Sequence, residues 1–186
     1  MTTKITAQEQ SKLINELYRQ EKWAEARAFI LELLKEEPNS HWLLTRLSST
    51  YYEEKMYDKA LEYVKQAIKI APNCPLVLWD YAGTLDMLKR EKEALQVFKR
   101  LLRKDVNMLA HGECGEGLRW ARSLVNDCRY WVGLIYASLG KYYLAKKYIQ
   151  SHINNRSRNC TSIYNLREIK KDLSKIIEGK DPRQNE

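Results

Sequence analysis

Four alanines, Ala26, Ala60, Ala94 and Ala145, stand 34, 34 and 51 residues apart, and the last gap is one further 34-residue step plus 17 residues. A chain that repeats at this interval has few architectures open to it. One such unit is too short to bury an apolar face alone, so a core forms only where successive units stack. The units begin at Ala7, His41, Pro75 and, after the extra residues, Asn126. In this frame the seventh positions are Leu13, Leu47, Tyr81 and Val132, the eighth Ile14, Ser48, Ala82 and Gly133, and the eleventh Leu17, Tyr51, Leu85 and Tyr136. Four residues after each alanine come Ile30, Val64, Phe98 and Ile149. Spacings of three and four put each group on one helical face. Every unit therefore reads as two helices joined by a turn, with the short alanine side chain where they approach. Pro38 and Pro72 close the first two units, because proline cannot continue a helix.

This set of positions resembles the tetratricopeptide repeat. The second unit fits best, with Leu44, Leu47, Ser48, Tyr51, Ala60, Val64, Ala67 and Pro72 in place. Gln10 and Ile14 in the first unit, Val106 in the third, and Arg129, His152 and Ser157 in the fourth depart from it. The resemblance implies an all-α fold: a right-handed α-solenoid of four tetratricopeptide-type helical hairpins at about 7–40, 41–74, 75–108 and 126–159. An insertion at 109–125 precedes the last hairpin, and a C-terminal capping helix at about 162–178 completes a single domain over 1–178, followed by a disordered tail at 179–186.

The ends carry their own signals. Thr6 and Glu9 form a capping-box pattern ahead of the first helix. Ile163, Leu166, Ile169, Leu173, Ile176 and Ile177 recur at helical spacing, as a helix that covers the last apolar face would require, or one that docks on another protein. Gly112, Gly115 and Gly117 place a turn in the insertion; from Leu118 to Ile135 the apolar spacing continues, so the first helix of the last hairpin starts early and runs long.

Chemistry is sparse. Three histidines, with no glycine-rich phosphate loop, nucleophile elbow or paired carboxylates, leave the familiar reaction classes without their parts, so neither an enzyme nor a cofactor is expected. His111, Cys114 and Cys128 invite a zinc reading, but structural zinc takes four ligands and neither His152 nor Cys160 has spacing that completes the set; no metal is expected. No apolar run approaches a membrane span and no hydrophobic leader opens the chain, so a cytoplasmic protein is expected.

In the geometry that the resemblance implies, positions two, five, nine and twelve of each first helix line a concave face. They include Asn15 and Tyr18; Trp42, Thr45, Ser49 and Tyr52; Trp79, Gly83 and Asp86; and Tyr130 and Leu134. Large aromatics there would anchor a partner's peptide or helix, and the small Ser49 and Gly83 would leave room for it. The resemblance thus implies a non-catalytic adaptor, scaffold or chaperone with a protein or peptide partner. A subset of the family grips chain-terminal carboxylates with a clamp of lysines, asparagines and an arginine. Here Ser11, Asn15, Arg46, Leu76 and Asp80 occupy the clamp positions; only Asn15 matches, and Asp80 would repel a carboxylate.

Charge supplies a second reading. Residues 1–108 carry 18 basic and 16 acidic side chains, a net of +2, whereas 109–186 carry 14 and 8, a net of +6. Between Cys128 and Arg167 there is no acidic residue, while Arg129, Lys141, Lys146, Lys147, Arg156 and Arg158 lie inside. Such a stretch is either a solvated surface or an attractor of RNA, DNA, an acidic protein or an anionic membrane surface, and the interleaved tyrosines favour nucleic acid among these. A short secretion-type chaperone is a further possibility, which no residue singles out.

Overall fold

The period of the alanines is written a second time in the turns of the backbone. The computed structural model describes residues 5–184, and there Glu21, Lys55 and Lys89 have φ of 55°, 60° and 61°, while Gly140 has 69°. Each is the fifteenth residue of its unit. At this left-handed residue the chain closes the first helix: the amide of the next residue donates five residues back, Lys22 to Leu17 at 2.9 Å, Met56 to Tyr51 at 2.9 Å and Lys141 to Tyr136 at 2.8 Å.

Ten helices follow among the described residues: α1 (Ala7–Arg19), α2 (Trp23–Glu36), α3 (His41–Glu53), α4 (Tyr57–Ile70), α5 (Pro75–Met87), α6 (Glu91–Leu102), α7 (Val106–His111), α8 (Leu118–Ser138), α9 (Tyr142–Asn155) and α10 (Leu166–Ile177). No strand forms among these residues; Ser157 and Cys160 make one isolated bridge. The fold is all-α, as the repeat predicts. Two compact units divide after Leu88.

The first unit holds α1 to α5. The predicted capping box is present: Thr6 N–H donates to Glu9 Oε2 at 2.7 Å, and Glu9 N–H to Thr6 Oγ1 at 3.3 Å. Ser40 caps α3, and Pro75 stands in the first turn of α5, where its missing N–H costs nothing. Helix α2 packs on α1 and α3, and α4 on α3 and α5. Ala26 and Ala60 are fully buried where the paired helices meet, and Ser48 Oγ donates to the Ala60 carbonyl at 2.8 Å. Ile14, Ile30, Leu43 and Leu47 form one cluster of the core. Leu13 was expected on the packed stripe but is exposed. Its equivalent Leu47 is buried, with α2 packed beside its helix; α1 has no preceding helix among the described residues.

The second unit holds α6 to α10. Helix α8 runs from Leu118 to Ser138, early and long as predicted, and packs on α6, α7 and α9. At Gly133 a Cβ would lie 2.5 Å from Ile149 Cγ1 and 3.3 Å from the Ala145 carbonyl oxygen, so only glycine lets α8 and α9 approach this closely. The insertion is more structured than a turn. Asp105 caps the short helix α7, whose Leu109 and Ala110 pack on Ala121 and Val125 of α8. Beyond α10, in the segment expected as a tail, Arg183 Nη2 reaches Glu91 Oε1 at 3.0 Å. Residues 185 and 186 lie outside the described residues.

Candidate functional site

In the first unit the expected groove residues converge on α1, α3 and α5. Tyr18 is half-buried and donates its hydroxyl to the Arg46 carbonyl, tying α1 to α3. Ser49 Oγ lies 2.8 Å from Asp80 Oδ2, tying α3 to α5. Trp42, Tyr52, Trp79 and Gly83 are half-buried, and Asn15 is exposed. Trp42 leans on the first core cluster, and Arg46 covers its ring with the guanidinium carbon 5.4 Å from the centroid. Tyr52 stands edge-on to Tyr57 at 5.4 Å.

Two expected lining residues do not face outward. Thr45 is 5% exposed, its hydroxyl spent on the His41 carbonyl at 2.7 Å, and Asp86 is 2% exposed. A helical position sets the direction of a side chain; small polar residues can turn back onto their own helix from it.

Desolvation dominates the electrostatics. Burial pushes Asp80 up to about 6, against the Ser49 hydrogen bond and the Arg46 charge, which favour the ionised form. Burial also raises Tyr18 and Tyr52, keeping both phenols neutral. Glu53 is raised by desolvation and by Glu21.

The corresponding face of the second unit is covered by its own chain. Tyr130 and Leu134, expected to line a groove, are 7% and 6% exposed. The Tyr130 hydroxyl donates to Asp172 on α10, and its ring meets that of Tyr164 at 4.8 Å. Trp131 Nε1 donates to the Tyr164 hydroxyl, Arg156 Nη1 to the Tyr164 carbonyl at 3.0 Å, and Ile163 N–H to Asp127 Oδ2 at 3.2 Å. The cap was expected from about residue 162 but α10 starts at Leu166, because Thr161 to Tyr164 are held in non-helical form against α8. Ile163, expected on that helix, precedes it and is 77% exposed.

His152 departs from the apolar pattern yet is fully buried. Its Nδ1 lies 2.8 Å from the Asn126 carbonyl, and Asn126 Nδ2 donates to the His152 carbonyl at 3.0 Å. Asp127 Oδ1, 3.8 Å from the same ring nitrogen, is buried with no hydrogen-bond partner. Desolvation lowers His152 and raises Asp127.

The residues of the basic stretch differ in exposure. Lys141, Lys146, Lys147 and Arg158 are exposed, but Arg129 is half-buried and Arg156 is engaged with Tyr164. Exposed Tyr143 joins Lys146, Lys147, Gln150 and Asn154 along a shallow groove on α9. A similar groove on α4 carries Asp58 and Glu62 beside Lys65 and Lys69, so grooves of this kind belong to exposed second helices and mark no ligand by themselves. His111 is exposed and Cys128 is sealed in α8, its thiol pushed up first by burial and then by Asp127; with Cys114 they form no common ligand group. No helix among the described residues is long and apolar enough to cross a membrane.

Models of the tetratricopeptide repeat match residues 11–73, 51–111 and 127–151. Among solved structures, PilW, a widely conserved type IV pilus biogenesis factor, aligns with a TM-score of 0.65 and 23% identity over 78% of this chain and 60% of PilW. The MamA protein aligns with a TM-score of 0.59 and 16% identity over 78% of this chain and 70% of its own. A tetratricopeptide repeat protein from Parabacteroides merdae aligns with a TM-score of 0.59 and 17% identity over 92% and 61%. At such identities the likeness shows the fold. No curated protein matches the chain.

Proposed function

From the premise that the chain belongs to the tetratricopeptide repeat family, we propose that its first unit holds a peptide or helix of a partner protein against α3 and α5. The family and the fold are those of protein–protein interaction modules, and an adaptor, scaffold or chaperone acts by such holding alone, without catalysis. The observation that carries the reading is the half-exposed state of Tyr52 and Trp79 on either side of Gly83, where an added Cβ would meet nothing nearer than Tyr52 Cε2 at 4.0 Å. Aromatic rings that are neither sealed nor fully solvated offer apolar area with little loss of side-chain freedom, and a few such anchors supply most of an interface's affinity. Trp42, backed by the core and covered by Arg46, forms a wall of this face.

The test is selection of a random displayed peptide library on the immobilised protein. Wild type is expected to enrich a related set of sequences, and Trp42→Ala combined with Trp79→Ala to lose them while keeping its helical circular dichroism; each anchor is worth about 2 kcal/mol of binding. Failure of wild type to enrich any set, or equal enrichment by the double variant, refutes the reading.

A further inference from the structure

We propose that this face takes its partner through a basic side chain, a lysine or arginine of the bound peptide that pairs with Asp80. The inference rests on the binding reading above and adds the chemistry of the ligand.

Asp80 projects from α5 among aromatic residues, and its one side-chain hydrogen bond among the described residues is to Ser49 Oγ, at 2.8 Å. An ionised carboxylate offers about four acceptor positions, so a single hydroxyl leaves most of its capacity unused. No ion pair among the described residues involves Asp80. The one cation that acts on Asp80 is Arg46, which favours its ionised form from over the Trp42 ring rather than from an ion pair. Glu53 on α3 and Asp86 on α5 add negative potential, while Tyr18 and Tyr52 stay neutral.

The free protein therefore keeps a largely desolvated carboxylate that Arg46 favours from a distance but that no cation contacts in an ion pair, a condition that costs stability unless a partner relieves it. A guanidinium or ammonium group would return the lost solvation by pairing with the carboxylate, and the neighbouring aromatic faces favour a cation as well. Space for its aliphatic stem lies one helical turn along α5, at Gly83. Arg46 repels a second cation from the Trp42 side, so the basic group enters from the Gly83 side. An acidic ligand meets the Asp80 carboxylate and the Glu53 charge beside it and is rejected.

The library selection reads this directly. Peptides enriched by wild type are expected to share a lysine or arginine. An enriched peptide measured by fluorescence polarisation is expected to lose about tenfold in affinity when that residue becomes norleucine or citrulline, and to lose a similar factor against Asp80→Asn. Asparagine keeps an acceptor for Ser49, and circular dichroism checks that the variant is folded. Enriched peptides without a common basic residue, or affinities for Asp80→Asn within twofold of wild type, overturn the inference and leave the binding reading standing. Absence of any enriched set removes both.

Discussion

Trp79 in the first unit and Tyr130 in the second hold the same place, the fifth residue of a repeat, yet one is half-exposed and the other is 7% exposed. What differs is what the chain lays over them. Tyr130 lies under Tyr164 and Asp172, delivered by the segment that follows α9. The first unit instead keeps Tyr52, Trp79 and the carboxylate of Asp80 along α3 and α5 with no such strap from its own described residues. Repeat position thus decides where a side chain points, while the following segment decides whether it stays available. A family pattern predicts the first and is silent on the second.

The largest effect that sharpens this contrast is expected from Tyr164→Ala. It removes the ring against Tyr130 and the hydroxyl that Trp131 donates to, so a half-buried donor and a packed face lose their partner together. The second unit should lose about 2–4 kcal/mol in urea unfolding, and the Ile163 amide should exchange far faster with solvent. Unchanged exchange would mean that the strap is held by α10 alone and that the contrast between the two faces has another cause.

A smaller effect of opposite sign belongs to the open face. The folded protein holds Asp80 at about 6, above the ordinary value of 3.8, so its ionised form opposes folding. That penalty is present above about pH 6, shrinks as the pH falls through 6 and is gone below about pH 4. Asp80→Asn should therefore stabilise the first unit by roughly 1–2 kcal/mol at neutral pH and not at all near pH 4. Thermal melts at the two pH values decide it; a variant less stable than wild type at neutral pH would show the carboxylate to be well compensated without a ligand.

The turns allow a third comparison. Lys55 adopts at φ 60° the conformation that Gly140 adopts at 69°. Lys55→Gly should gain about 0.5–1 kcal/mol by removing left-handed strain, and Gly140→Ala should lose about as much. Equal and opposite shifts in melting would show that the period in the backbone has an energetic counterpart.

Much of the fold was legible because it rests on local rules. The alanine spacing, the capping box at Thr6 and the early start of α8 each depend on residues a few positions apart. The short helix α7 was missed because six residues hold too little periodicity to register, even with Asp105 as its cap. The candidate site was legible only in direction. Trp42, Tyr52 and Trp79 are half-buried on α3 and α5, but the coverage of Tyr130 depends on Tyr164 and Asp172, 34 and 42 residues away, and nothing in their own neighbourhood announces it. Asp80 could be seen from its position as hostile to a carboxylate ligand; that it would stand half-buried with one hydroxyl for company needed the helices α3 and α5 side by side.

His152 gives the smallest effect and the finest test of the closed face. Its ring lies between α8 and the start of the strap: Nδ1 against the Asn126 carbonyl, Nε2 3.5 Å from Arg156 Nη1, with Asp127, Arg129 and Tyr130 around it. The arrangement suits a neutral ring that donates from Nδ1 and accepts at Nε2, and burial, with the Arg156 and Arg129 charges behind it, lowers the pKa in spite of the Asn126 bond. A histidine depressed in the fold costs nothing above its unfolded value and destabilises as the pH falls below about 6.5, when the unfolded chain takes a proton that the fold refuses. Asp127 and Asp172, raised by burial, pull the other way, because their protonation on acidification favours the fold. Wild type alone would blend these trends; the difference between wild type and His152→Gln isolates the histidine, since both proteins keep the two carboxylates. The stability advantage of wild type should shrink by up to about 1 kcal/mol between about pH 6.5 and 5 in urea titrations of the second unit. A difference that stays flat over this range would place a proton on the ring already at neutral pH, with Asp127 Oδ1 as its counter-charge, and the closed face would then be held by an ion pair rather than by neutral hydrogen bonds.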